Sequence, residues 1–290
     1  MNQLVNPTIN TESCWQAELH LGLSKTSRGT VLKQCQHLGP LYVQKPFYPE
    51  GRELAHIYLL HPPGGMVSGD DLQISVTTQP EAQCLVTTPG AGRVYRARPD
   101  RTLQKQQINL TLKPNSTLEW LPLENIIYPD ACTDLSTDIH LSENSSVIAW
   151  EVTCFGLTAS DEPFDTGQVS QRLQVFREGR LKLRERLVLN PAEDDFMSAR
   201  AGLNSCSVNG LLLAGPFDQD EEVEELLSGL RECCNETNAL AGVTLNDEFV
   251  QVRYLGDCSE QARKLFTQCW KLIRPELLNR EGCEPRIWAT

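Results

Sequence analysis

Four carboxylates of this chain stand in surroundings where a carboxylate is costly: Asp70, Glu124, Glu151 and Glu185. Asp70 ends the Gly-rich string HPPGGMVSGD, whereas the other three sit in or beside the apolar runs WLPLENI, AWEVTCFG and LRERL. A carboxylate flanked by Leu, Trp or Val either pairs with a buried arginine or lines a wet passage, because its charge needs compensation. These four are therefore the candidates for handling a cation. For Glu185 the neighbours Arg184 and Arg186 offer an ordinary ion pair instead.

The loop that presents Asp70 runs from His61 to Leu72. Pro62 and Pro63 fix φ and remove two donors, while Gly64, Gly65 and Gly69 allow a path that side chains would forbid. Such a loop either presents Asp70 or Asp71 for function, or is a tight turn whose aspartate caps backbone N–H groups. A second loop, TTPGAGRVYRA from Thr87 to Ala97, carries Pro89, Gly90 and Gly92; with Arg93 its glycines form an anion nest or a structural turn. Of the five histidines only His56 and His61 are close, and five apart on a strand they face opposite sides. A histidine cage for a metal is not expected. The chain has no Walker A string, G-x-G-x-x-G, G-x-S-x-G, H-E-x-x-H or CxxC pair, so nucleotide hydrolysis, dinucleotide chemistry, serine hydrolysis and a standard zinc site lack support.

Charge narrows the partners. With 38 acidic against 26 basic residues and net charge −12, the surface disfavours nucleic acid and anionic membrane. No run reaches the length of a membrane span, and MNQLVNPTIN lacks the basic and apolar regions of a leader, so a cytoplasmic protein is expected. The eleven cysteines are odd in number and scattered from Cys14 to Cys283, and Cys233-Cys234 is adjacent rather than CxxC; free, buried thiols follow.

The elements that must position these residues are mainly strands. Trp15, Ala17, Leu19, Leu21 and Leu23 alternate, and further short strands are expected at Leu41–Gln44, His56–Leu60, Leu72–Thr77, Gln83–Thr88, Gln107–Leu112, Thr117–Leu121, Asp138–Leu141 and Val147–Thr153. Hairpins turn at Glu178-Gly179 and Asn246-Asp247. QPEAQCLV, KPNSTLEW and SENSSVIA each put a small residue after a turn and then resume alternation, at a spacing of about thirty residues; stacked sheet rungs follow, in a helix-like or solenoid-like architecture. A plain antiparallel sandwich is the alternative. Two helices come late: one from the acidic Asp218–Glu222 with an apolar face through Val223, Leu226, Leu227, Leu230 and Cys234. The other is capped by Ser259, buries Ala262, Leu265, Phe266, Cys269, Trp270 and Ile273, and ends at Pro275. No linker divides the chain, so residues 1–290 read as one unit.

Together GPLYVQKPFYPEG, HPPGGMVSGD, TTPGAGRVYR, LEWLPLENIIY, WEVTCFGL with FDTG, SARAGL and WKLIRPELLNREGCEPRIWAT resemble the UreD (UreH) family of urease accessory proteins over nearly the whole chain. Arg93 stands where a lysine is common, and Leu123 where LPQE is common. The resemblance implies a cytoplasmic, non-enzymatic scaffold or chaperone that binds urease apoprotein and works with UreF and the GTPase UreG in metallocentre assembly. Nickel would cross it through an internal, water-filled tunnel, with no cofactor tightly bound. Scattered oxygen ligands suit such transit because they release a borderline cation. The alternative classes are a β-helix carbohydrate-active enzyme using paired carboxylates and a nickel-storage protein; the first lacks aromatic platforms, the second His- or Cys-rich tracts.

Overall fold

Three turns set the architecture. Gln79–Ala82, Lys113–Ser116 and Ser142–Ser145 reverse the chain through a third residue of positive φ: Glu81 at 63°, Asn115 at 57° and Asn144 at 53°. The next residue in each, Ala82, Ser116 or Ser145, is no more than 1% exposed, because the turns stack directly on one another. The Glu81 N–H donates to Pro114 O at 3.2 Å, and the Asn115 N–H to Glu143 O at 3.0 Å. A larger side chain after the turn would separate the rungs.

The structure, a computed structural model, describes residues 15–218 and 221–289. Along the chain come β1 (Trp15–Thr26), β2 (Gly29–Leu38), β3 (Tyr42–Val43), β4 (Leu54–Leu60), β5 (Asp70–Thr78) and β6 (Gln83–Thr87). They are followed by β7 (Gly92–Val94), β8 (Gln104–Leu112), β9 (Thr117–Leu121), β10 (Asn125–Ile127), β11 (Cys132–Leu141) and β12 (Ser146–Leu157). The last third holds β13 (Glu162–Pro163), β14 (Gln168–Arg177), β15 (Arg180–Leu189), β16 (Val208–Gly215), α1 (Glu221–Asn235), β17 (Leu240–Asn246), β18 (Phe249–Gly256) and α2 (Ser259–Leu278).

The chain alternates between two sheets. One has the order β15-β14-β11-β8-β5-β1-β2, the other β17-β18-β16-β12-β9-β6-β4-β3. From β5 to β14 the long strands pair in parallel with their counterparts one rung on: Leu72 with Gln106, Gln106 with Leu135 and Leu135 with Gln171 in the first sheet, Leu85 with Glu119 in the second, while the short β13 pairs antiparallel with β12. These are the stacked rungs the repeated turns predict. Beyond them β14–β15 and β17–β18 are antiparallel hairpins. β7 and β10 join β12 in a short parallel ribbon beside the second sheet.

Two cores follow from this layering. Leu19, Leu23, Ile74, Leu110 and Ile139 of the first sheet meet Ile57, Val86, Leu118 and Leu213 of the second. The opposite face of the second sheet, with Ile148, Trp150, Leu212 and Val250, is covered by Leu226 and Leu230 of α1 and by Phe266, Trp270 and Ile273 of α2. A sheet covered on both faces reads as continuous apolar runs rather than alternation. That is why NGLLLAG, which forms β16, carries no strand signal.

Several local expectations are corrected. Trp15 belongs to β1 but is 54% exposed, unlike Ala17 to Leu23 on the same face. Cys258, without a side-chain cap, occupies the N-cap of α2, and Ser259 is its first residue. Pro275 lies inside α2, which ends at Asn279 in the left-handed conformation; Trp270, Ile273 and Arg274, all fully buried, hold the axis across the missing hydrogen bond. The second hairpin turns at Asp247-Glu248, since Asn246 still pairs with Phe249. Asp220 and Cys14 lie outside the described residues. The ten described cysteines are free, four of them buried.

Candidate functional site

The two Gly-rich loops meet across one cavity of about 430 Å³ that is partly open to solvent. His61 and Gly64 of the first loop line it together with Pro89, Gly90, Gly92 and Arg93 of the second. Backbone bonds join the loops: the Met66 N–H donates to Arg93 O at 2.8 Å, and the Tyr95 N–H to Met66 O at 3.0 Å. Gly65 is required by this approach, for a Cβ there would lie 2.6 Å from the Tyr95 ring and 2.8 Å from the Arg93 carbonyl oxygen. Gly64 and Gly69 take positive φ of 78° and 93°. Gly90–Arg93 is not a nest: Gly92 begins β7, pairs with Asn125 and has no positive φ, and an Arg93 guanidinium N–H leans towards Gly64 O at 3.5 Å.

Glu151, on β12, lines this cavity and also a second one of about 190 Å³ between the sheets. Alternation turns it inward, towards β11 and β14. Thr137 Oγ1 donates to its Oε1 at 2.6 Å and Gln171 Nε2 to its Oε2 at 2.9 Å; the Thr153 hydroxyl in turn donates to Gln171 Oε1 at 3.2 Å. Burial pushes the Glu151 carboxyl above its ordinary value, and those hydrogen bonds oppose it only in part. The walls of the larger cavity are mostly apolar, but the Trp120 indole N–H, 3% exposed as a residue, has no hydrogen-bond partner among the described residues.

Glu185 lies on the wall of the second cavity. Its partner is Arg253 on β18, with an N–H donating at 2.7 Å, and Gln251 donates at 3.4 Å. Arg184 and Arg186 are exposed, and Arg186 also lines this cavity, but the ion pair of Glu185 is with Arg253. Asp70 lines neither cavity: its Oδ2 accepts the Val67 N–H at 2.8 Å, the capping role weighed from the sequence. Burial raises its carboxyl, offset in part by that bond and by Arg98. Glu124 lines neither cavity as well. It sits beside Cys154, whose thiol is pushed up to about 11 by burial and then by the Glu124 charge. Among the described residues no group of three or more His, Cys, Asp or Glu is arranged to hold a metal ion.

A buried charge network escapes the sequence reading. Arg274 of α2, fully buried, reaches Glu119 of β9 through Nε at 3.0 Å and a second N–H at 3.1 Å, and Glu50 through two N–H groups at 2.7 and 2.8 Å. Trp270 Nε1 donates to Glu119 at 2.6 Å, and His56 pairs with Glu50 at 2.8 Å. Arg274 also donates to the Glu281 carbonyl, fastening the tail beyond α2, where Trp288 Nε1 donates to Thr87 Oγ1 at 2.9 Å. The signal was present: a glutamate inside the apolar LEWL strand and an arginine inside the apolar WKLIR turn need each other.

A family model described as UreD urease accessory protein matches residues 16–289. A urease accessory protein UreD of Marinomonas sp. (strain MWYL1) is 53% identical over 283 residues, covering 96% of this chain and 91% of its own length. Those of Hahella chejuensis and Klebsiella aerogenes are 40% and 39% identical, each across 95% of this chain. The chain belongs to the family of UreD urease accessory proteins.

Proposed function

We propose that this chain is a non-catalytic maturation factor that, bound to urease apoprotein and to UreF-like and UreG-like partners in the cytoplasm, conducts nickel towards the urease active site. What supports the reading is Glu151, a single carboxyl on the shared wall of two cavities, each partly open to solvent. Nickel here is cargo, not a resident cofactor. A hydrated dication between apolar walls keeps its water, while Glu151 offers one weak oxygen contact at the narrowing. Burial raises its pKa, and a cation beside it would favour the ionised form. Glu185, held by Arg253, is the next carboxylate along. The absence of a clustered ligand set among the described residues suits release rather than storage.

The test is urease activation under limiting nickel, with the partners coexpressed. Without this chain, urease should accumulate nickel-poor; full nickel occupancy would end the maturation reading. Glu151→Gln keeps shape and hydrogen bonding, so the complex should still assemble while nickel content and activity fall. Activation at the wild-type rate would refute a path through Glu151, and failure to assemble would make the residue structural.

A further inference from the structure

Three thiols that the cavities above do not use converge where the two helices meet. Cys233 and Cys234 lie in the last turn of α1 and Cys269 lies midway along α2, and all three pack in the apolar layer where the helices meet, with the Cys269 sulfur next to both. Consecutive helical residues point about 100° apart, so a pair of them straddles one residue of a facing helix. Cys269 is fully buried and Cys234 is 6% exposed. Cys233 differs: it is partly exposed and lines a polar surface cavity of about 220 Å³ with Asn238, Lys264 and Gln268.

We propose that Cys233, Cys234 and Cys269 form a thiol–disulfide exchange site that admits a small-molecule disulfide, such as oxidised glutathione, through the Cys233 cavity and ends as a disulfide joining α1 to α2. In the first step the Cys233 sulfur attacks one sulfur of the small disulfide; a mixed disulfide forms and one small thiol leaves with the proton Cys233 gave up. In the second, Cys269 attacks the Cys233 sulfur and expels the second small thiol. Two protein thiols are oxidised and the small disulfide is reduced to two thiols, so electrons and protons balance. The proton Cys269 gives up goes to the departing small thiolate, which leaves as a thiol. Contact with Cys234, together with burial, pushes the Cys269 thiol up, so the second step is the slower one. Burial keeps Cys233 above its ordinary value, so the reaction accelerates as pH rises.

Peptide mapping tests this on the folded full chain. After oxidised glutathione, alkylation of free thiols and trypsin, residues 232–253 should appear linked to residues 265–271, lighter by two hydrogens than the two reduced peptides carrying one alkyl group between them. Cys269→Ala should lose the link and accumulate glutathione on Cys233; Cys233→Ala should lose the rapid link. The proposal is overturned if wild-type Cys233 stays unmodified, if it keeps glutathione without forming the link, if the link forms only after unfolding in urea, or if Cys233→Ala links at the wild-type rate.

Discussion

Replacing Arg274 by methionine should destabilise the protein more than any other single change outside the apolar cores. The side chain is fully buried, as is Glu119, and its guanidinium supplies two of the three N–H groups that face the Glu119 carboxylate; only the Trp270 indole would remain. Removing one partner of a buried pair leaves an uncompensated charge and costs about 3–5 kcal/mol. That is a large share of a total stability of roughly 5–15 kcal/mol. Adding Glu119→Gln removes the stranded charge while keeping an acceptor for Trp270, so the double variant should recover part of the loss. Urea unfolding followed by tryptophan emission reads both, because Trp270 and Trp288, 5.8 Å apart, report on the helix and on the tail that Arg274 fastens. Acid adds an independent arm. Burial works to raise the Glu50 carboxyl, but hydrogen bonds from His56 and Arg274 outweigh it and lower the group from 4.5 to about 2, a difference of about 3 kcal/mol. A carboxyl depressed on folding stabilises above its unfolded pKa, and this contribution fades as pH falls from about 4.5 towards 2. Arg274→Met should flatten that acid limb. A loss below about 1 kcal/mol, or an acid limb unchanged from wild type, would refute the claim that Arg274 fastens α2 to the second sheet.

Two further substitutions probe the rungs and the loops. At the repeated turn, Glu81 carries the positive φ that Asn115 and Asn144 carry elsewhere; Glu81→Asn should gain about 0.5 kcal/mol and Asn115→Val lose about 1–2 kcal/mol in urea midpoints, because asparagine tolerates this conformation and a β-branched side chain does not. Gly65→Ala should cost about 1–3 kcal/mol, since the new methyl meets the Arg93 backbone, whereas Gly92→Ala should cost less because it meets only the movable Asn125 amide at 2.1 Å; equal losses would contradict the close packing of the two loops.

What was legible in the sequence follows from which interactions are local. Rungs were legible because a stacked turn must repeat its chemistry: each of the three strings has a residue of positive φ followed by a small buried one, and both requirements act within four residues. The helix faces were legible for the same reason, all six predicted residues of α2 being buried. The site was only half legible. Gly-rich loops can be found one at a time, but that His61 and Gly90 line one cavity depends on the ribbon formed by β7 and β10 and on the Met66–Val94 bridge, which no spacing along the chain encodes. Glu185 shows where a local argument misleads. Arg184 and Arg186 are its nearest neighbours in sequence, yet in a strand nearest neighbours are the residues least able to pair, and the partner is Arg253, 68 positions away.

Glu119 and Glu124 carry the same lesson one step further. Both belong to LEWLPLEN, and the sequence favours the second because its loop sits among proline and leucine. Yet only the first lies inside a strand that is covered on both faces, where a charge has no route to water and must find a buried partner. Its partner, Arg274, lies 155 positions on, inside a helix whose apolar face hides it. Glu151 differs from Glu119 although both are inward carboxylates on neighbouring strands of one sheet: Glu119 faces the helices and is neutralised by a guanidinium, while Glu151 faces the first sheet and meets only a hydroxyl and an amide. Parity alone separates them, since position 119 and position 151 fall on opposite faces of the sheet. The carboxyl without a cation of its own is the one placed between two cavities, and the proposed path rests on that difference.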